Sequence, residues 1–418
     1  MAILFLRTTF ATFKVAVTSI LLLLSLCQQT MSLKSSTPFK NIVVVGGGIQ
    51  GTSVAYHLAK KSSAVNIVLL ESVEPASAAS GKGGGFMARS WGDGSPTQRL
   101  HELAFDMYEN LAKELGCKSY RKLPVLSVTP GYSGVADARK DKALGPIMPG
   151  WLDGEVGRIS AMGFGDDTAQ ITPKDFVTKM LENRSDRIHV VLGTCCGVET
   201  DQGSERGSRK ITGVKYRPRG KDDAREEAMI PADAIIVSAG PWSCEAEEWF
   251  QGAVELPMEG IKSTSIVWKK PDDSEVKVDA TALFCGEDHR FGTHCKLSGG
   301  LTIVNQFLFQ SHCTYPLFAV EVYPRPDGTI YLCGIGGSDY ISKEQLKDGA
   351  FREVCEANEA RVEAAMQSFQ EMSSMYQKIG TLEKTQACMR PCPPDAMPYM
   401  GRIRGYEGAF INAGHNCW

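Results

Sequence analysis

Apolar and polar positions along the chain follow several distinct periods. Two uninterrupted apolar runs, Ile42-Val43-Val44-Val45 and Ile67-Val68-Leu69-Leu70, flank a stretch of helical composition from Thr52 to Lys61. Runs of this kind suit strands buried on both faces of a parallel sheet. A third run, Ala234-Ile235-Ile236-Val237, passes into the small-residue turn Ser238-Ala239-Gly240-Pro241-Trp242 and reads as another buried strand. Helical spacing returns from Thr97 to Gly116, with Leu100, Leu103, Ala104, Met107, Leu111 and Leu115 predicted on one buried face. A further helix is predicted to open at Ile171-Thr172-Pro173, with Thr172 as N-cap and Pro173 in the first position. Val354 to Met372 reads as a long, charged, surface helix. Strand patterning appears at Val125–Val128, His189–Val198 and Ile211–Tyr216, with polar loops at Gly203–Gly207 and Pro218–Glu227. Val320 to Gly334 reads as a hairpin turning at Pro326-Asp327-Gly328. The chain shows no internal repeat and no low-complexity segment.

The first strand and helix are joined by Gly46-Gly47-Gly48-Ile49-Gln50-Gly51, and Glu71 closes the second strand twenty residues after Gly51. Each part has a mechanical reason. Gly46 permits a tight turn, Gly48 lets a pyrophosphate approach the backbone, and Gly51 lets the helix pack against the strand. The helix N-terminus offers unpaired N–H groups to phosphate, with Ile49 and Gln50 of the turn as further candidate contacts, and Glu71 can accept hydrogen bonds from a ribose diol. The unit therefore predicts a dinucleotide site. A second glycine-dense turn runs from Ala78 to Phe86 and contains Ser80, Gly81 and Lys82.

Composition narrows the alternatives. At 418 residues there is room for two domains, and a net charge of −3 gives no electrostatic case for nucleic acid. Thirteen cysteines without a C-x-x-C pair argue against a zinc site or a disulfide framework, and His289, His294 and His312 lack metal-ligand spacing. Reduced, buried thiols are the expectation. No acidic residue precedes Glu71, and Val15 to Cys27 is almost wholly apolar. Residues 1–30 thus read as a secretory signal, an organellar presequence, or an extension upstream of a natural start at Met31. A secretory or endomembrane location is expected if that segment acts as a signal, and membrane contact only if it is retained; otherwise the expected location is cytoplasmic.

With these landmarks in order, the chain resembles the D-amino-acid-oxidase-like superfamily of FAD-dependent amine and amino-acid oxidoreductases. Within it the likeness is to the sarcosine and pipecolate oxidase branch and to related fungal and plant-type oxidoreductases. The carrying residues are the glycine turn, Ala79-Ser80-Gly81, Ile235–Trp242, Tyr323–Gly334, Met389-Arg390-Pro391-Cys392-Pro393-Pro394-Asp395, and the terminal Gly414-His415. The resemblance implies an α/β fold: a doubly wound FAD-binding domain with an antiparallel-sheet α+β substrate domain. Residues 40–100, 160–245 and 385–418 would form the first, and 101–159 and 246–384 the second. FAD would lie with its pyrophosphate at Gly46, Gly48 and Gly51, its adenosine near Glu71, and Ser80, Gly81, Val198, Ala239 and Gly240 lining the site. Arg390 would pair with a substrate carboxylate, and His415 would shape the flavin end. Cys388, seven residues before Asp395, matches the cysteine that carries flavin through a thioether in one branch, whereas other relatives hold FAD noncovalently. Lys82 would meet phosphate or substrate, or stand exposed. The implied reaction removes hydride from an amine-bearing carbon, gives an imine, and passes electrons to O₂ or to another acceptor.

Two departures stand against that pattern. Cys295 to Ala319 separates segments that adjoin in the family, and its end residues are compatible with splice-site codons. It is expected to be an insert from a retained, in-frame intron or a mispredicted exon, which RNA reads joining His294 directly to Val320 would support and their absence from deep data would sink. The sequence also stops at Trp418, where the family continues into a helix whose N-terminus faces the flavin, so weak FAD retention and low turnover are expected of this form. Alternatives are a flavin dehydrogenase with a non-oxygen acceptor and a catalytically impaired isoform. A nicotinamide enzyme is disfavoured, since no nicotinamide-side catalytic pair follows the glycine turn.

Overall fold

The continuous apolar runs become the centre of a parallel sheet, as burial on both faces requires. The computed structural model describes residues 39–91, 94–220, 226–271, 277–286, 318–334, 337–348 and 355–416. Residues 1–30, for which a leader is expected, lie outside that set, as does most of the expected insert. Of Cys295–Ala319 only Phe318 and Ala319 are described, at the start of a strand. Among the described residues no helix is long and apolar enough to cross a membrane.

Strand β1 (Asn41–Val45) leads through the glycine turn into helix α1 (Ile49–Lys61) and strand β2 (Asn66–Glu71). The helix begins directly after Gly48, three residues earlier than its composition predicts. β1 pairs in parallel with β2 on one side and with Ala234–Val237 on the other, placing Val45 between Leu70 and Val237. The long strand Ile188–Gln202 adds to β2 in parallel, then turns back antiparallel into Arg209–Pro218. Tyr399–Arg402 and Ala409–Ala413 extend the opposite side, giving nine strands in this sheet among the described residues.

Helix α2 (Ala79–Lys82) is a single turn inside the second glycine-dense segment, and α3 (Gln98–Glu114) follows. The predicted face of α3 needs correction. Leu103 and Met107 are 59% and 43% exposed, while Phe105, Ala112 and Leu115 are buried. Ala112 and Leu115 pack with Tyr108 against Phe176, Val177 and Met180 of α4 (Pro173–Asn183). Two stripes fit the helical period of this segment, and docking against α4 selects the aromatic one. Thr172 sits at the N-cap of α4 and Pro173 in its first turn, but the Thr172 side chain makes no capping bond.

Among the described residues the second sheet holds eight strands and is largely antiparallel. Strand β3 (Glu259–Lys269) is its axis. On one side it pairs with β6 (Thr329–Cys333), which continues to β5 (Phe318–Pro324) and β4 (Ala282–Gly286). On the other side it pairs with β7 (Thr381–Cys392) along its whole length. β5 and β6 form the hairpin that Pro326-Asp327-Gly328 predicts. Ile266, Trp268, Leu283, Val322 and Leu332 point to the sheet face that packs on helix α5 (Glu359–Met372). This helix is shorter than predicted and is not a surface element: it buries Arg361, Val362, Ala364, Ala365, Ser368, Phe369 and Met372. Its charges are carried on the remaining face, and the one charged residue it buries, Arg361, is neutralised by Asp339 at 2.8 Å.

Candidate active site

The glycine turn needs its glycines for steric reasons. Gly46 has φ +105°, and a Cβ there would meet the Ser238 carbonyl oxygen at 2.3 Å. A Cβ on Gly51 would lie 1.9 Å from the carbonyl oxygen of Gly46. The turn opens onto a groove that is partly open to solvent. One wall is Gly46, Gly48, Ile49 and Gln50; the far end of β2 contributes Leu70, Glu71 and Ser72. Ser77–Ser80, Ser238–Trp242, Met389, Pro391 and Asn412–Asn416 complete it, with Gly193, Thr194 and Cys195 at the outer end.

Glu71 is buried and engaged. Gly47 N–H donates to its Oε2 at 2.6 Å and Val73 N–H to its Oε1 at 2.9 Å, so the carboxylate is fixed at the groove edge. Ser80 Oγ accepts from Ile49 N–H at 2.8 Å, tying the second glycine-dense segment to the N-terminus of α1. Several buried polar atoms at the groove have no protein partner: Ser238 Oγ, Trp242 Nε1 and His415 Nδ1. Unsatisfied polar groups are rare in folded interiors, and their concentration here fits a polar ligand. The glycine turn, the fixed carboxylate and these orphans together match the requirements of a dinucleotide such as FAD.

His415 is only 8% exposed, and burial pushes its pKa down to about 4. It is therefore neutral at physiological pH. The sign of its effect on stability follows. Below its ordinary pKa near 6.5 the unfolded chain takes up a proton that the folded chain refuses until about 4. Stability contributed by this site is thus present above about 6.5 and lost as pH falls towards 4. We expect His415→Gln in FAD-free protein to flatten the acid-side loss, by roughly 2–3 kcal/mol at most. Melting curves across that window measure it; an unchanged slope contradicts it.

Arg390 lies on β7, and the alternation of the strand divides its neighbours between two faces. Met389 and Pro391 line the groove. Cys388 and Arg390 point to the opposite face, where Arg390 Nη2 donates to Ser263 Oγ at 3.1 Å. Cys388 is buried and is not among the groove-lining residues. On that same face Tyr331 Oη and Gln386 Nε2 donate to the carbonyl of Lys82, at 3.0 and 3.1 Å, so the second glycine-dense segment rests on this sheet.

The structure thus brings Gly46, Gly48, Ile49, Gln50, Glu71, Ser80, Ala239, Gly240 and His415 to one groove. Gly51 stands behind the turn, and Gly81 lies against the carbonyl of Ala76, where a Cβ would sit at 1.8 Å. Val198 stands beyond Gly193–Cys195 along its strand, against the apolar core. Sequence reasoning missed Gly193, Thr194, Trp242, Met389 and Asn412, which line the groove from four separate segments of the chain.

A family model described as FAD dependent oxidoreductase (DAO) matches residues 41–418. An oxidoreductase of Saccharomyces cerevisiae is 37% identical, over 93% of this chain and 90% of that protein. Among solved structures, glycine oxidase from Geobacillus kaustophilus has a TM-score of 0.61 at 14% identity, covering 90% of this chain and 89% of its own. L-amino acid deaminase from Proteus myxofaciens, in complex with anthranilate, has a TM-score of 0.62 at 14% identity, covering 91% and 87%. These likenesses describe a fold with a parallel-rich FAD-binding sheet and a largely antiparallel second sheet.

Proposed function

The chain belongs to the DAO family of FAD-dependent oxidoreductases, and on that premise we propose that it oxidises the carbon–nitrogen bond of a small amine or amino acid to an imine. What carries the reading is that one strand serves two purposes: Met389 and Pro391 of β7 line the nucleotide groove, while Arg390 between them presents a guanidinium on the other face. A carboxylate bound at Arg390 is then held next to the cofactor site. The guanidinium suits this task because it stays charged and can grip a carboxylate through two parallel bonds. The Ser263 hydroxyl fixes its orientation, and such positioning accounts for much of the rate gain in reactions of this kind.

The remaining residues divide the work of holding FAD. The glycine turn and the N-terminus of α1 would take the pyrophosphate, Glu71 a ribose, and Ser238, Trp242 and His415 the groups that leave them unsatisfied. Bound FAD supplies a two-electron acceptor for hydride from the amine-bearing carbon; the protein only positions the two partners. Glycine oxidase and L-amino acid deaminase among the similar folds support an amino-acid-type substrate. After transfer, the imine hydrolyses in water, and the electrons pass to O₂, giving H₂O₂.

Cys388 projects to the same face of β7 as Arg390, so a thioether from it to the flavin is the alternative to noncovalent attachment. Acid denaturation separates the two: noncovalent flavin passes wholly into the supernatant, whereas flavin retained on the polypeptide assigns the bond to Cys388. The function itself is tested by a panel of amines and amino acids on FAD-loaded protein, followed through peroxide and through a reducible dye. Peroxide formation is expected. Dye reduction without peroxide makes the protein a dehydrogenase, and activity with no member of the panel overturns the reading.

A further inference from the structure

The face of the second sheet that bears Arg390 also carries a carboxylate to which amine oxidation has so far given no role. Glu321 of β5 is opposite Cys333 of β6, which is opposite Ser265 of β3, which is opposite Gln386 of β7. Residues directly opposite in a ladder share a face, so Glu321 and Arg390 project to the same side. Glu321 is half-buried, and Tyr323 Oη donates to its Oε2 at 2.7 Å while Cys333 Sγ approaches the same oxygen at 3.3 Å. Among the described residues it is paired with no cation.

That arrangement is costly unless something compensates it. A carboxylate drawn out of water and offered only neutral donors loses more hydration than two hydrogen bonds return. A structural role at this position is served equally by a glutamine. A cation arriving at the site supplies the missing partner. Arg390 fixes how far away the other end of that ligand lies. Its Nη2 is 3.1 Å from Ser263 Oγ; Ser263 is a diagonal neighbour of Cys333, at about 7–8 Å; and Cys333 Sγ is 3.3 Å from Glu321. The two charges therefore face the same side of the sheet within roughly 14 Å of one another. An α-amino acid, with a hydrogen bond of about 2.9 Å at each end, bridges roughly 9 Å between donor and acceptor. Burial raises the Cys333 thiol pKa most, Glu321 raises it further, and Arg390 lowers it. Burial and Glu321 push the Tyr323 hydroxyl well up, so it keeps its proton and remains a donor.

We propose that Glu321 binds the ammonium group of the substrate, so that Arg390 and Glu321 together select a zwitterionic α-amino acid over a simple amine or a simple carboxylic acid. This rests on the amine-oxidation reading above and assigns it a specificity residue. Tyr323 and Cys333 act as positioning residues that hold the carboxylate in one orientation.

The test uses FAD-loaded protein and matched pairs: alanine with propionate, leucine with 4-methylpentanoate, phenylalanine with 3-phenylpropionate. Binding is read from the perturbation of flavin absorbance. Wild type is expected to prefer the amino acid of a pair. Glu321→Gln should lose about tenfold or more of that preference, the size of one charge-assisted hydrogen bond, while the plain carboxylate, relieved of a like charge, binds at least as well as to wild type. Tyr323→Phe, which leaves the charge but frees it to move, should lose less in the same direction and guards against misfolding of the first variant. Arg390→Met should weaken both members of each pair. If amino acids reduce the flavin in wild type and Glu321→Gln retains the full preference, this assignment alone is overturned. If no amino acid binds or reduces wild-type flavin, amine oxidation itself fails and the assignment falls with it.

Discussion

Replacing Gly51 by alanine is expected to abolish flavin binding and to lower the stability of the fold at once. The added methyl would lie 1.9 Å from the carbonyl oxygen of Gly46 and 3.3 Å from the Ser238 side chain. Neither can retreat. Gly46 is itself held by its N–H bond to the Leu70 carbonyl at 2.8 Å, and the turn sits between two strands in parallel register. Helix α1 must therefore move away from β1, at a cost of about 2–3 kcal/mol or more, and the N–H groups aimed at phosphate move with it. Thermal melting and the ratio of flavin to protein absorbance measure the two losses. Gly48→Ala provides the comparison. A Cβ there meets only the Ser80 hydroxyl, at 3.0 Å, so that variant should fold normally and bind FAD more weakly. Gly51→Ala that folds and retains flavin like wild type contradicts this account of the turn.

The second large effect is expected at Arg390. Arg390→Met removes the charge while keeping much of the apolar stem, and should lower kcat/KM for the best amino-acid substrate by roughly 30- to 4,000-fold. This is the range of about 2–5 kcal/mol for truncating one partner of a desolvated charge pair. Arg390→Lys should recover part of the loss, because an ammonium keeps the charge but not the planar fork. Flavin content should be unaffected in both, since Met389 and Pro391, and not Arg390, touch the groove. Steady-state kinetics across the three proteins decides the matter. Loss of flavin together with activity would instead make Arg390 a determinant of the cofactor site.

The parts of the molecule that were legible in sequence are those where local chemistry and tertiary demand coincide. Val43 and Ile235 are buried because central parallel strands have no exposed face, and an unbroken apolar run announces that. The β5–β6 hairpin follows from Pro326-Asp327-Gly328, whose turn chemistry is local: Gly328 has φ +85°, and Asp327 Oδ1 accepts from Thr329 N–H at 2.9 Å. The groove residues at Gly46–Gly51 and Glu71 belong to the same category.

Other features depended on contacts that no window of sequence contains. The apolar stripe through Leu103 and Met107 satisfies the helical period as well as Phe105 and Ala112 do, and only α4 breaks the tie. Likewise the charges of α5 suggest a surface helix, whereas Phe369 and Met372 lie beneath the second sheet. Glu321 is the clearest case. Within Val320-Glu321-Val322-Tyr323 it reads as the polar position of an alternating strand, hence solvent-facing. Its meaning comes from Cys333, brought opposite by the hairpin, and from Arg390 three strands away. The aromatic at Tyr323, two residues on and on the same face, was the one local sign that this face is covered.

The central claim is that a groove built for FAD adjoins a guanidinium that holds an amino acid for oxidation, and anaerobic titration of the FAD-loaded protein tests it most directly. An amino acid from the panel should bleach the flavin absorbance near 450 nm in wild type at a rate at least tenfold above that of Arg390→Met, both proteins carrying equal flavin. A flavin that binds yet is reduced by no amino acid or amine, or is reduced equally fast without Arg390, contradicts it.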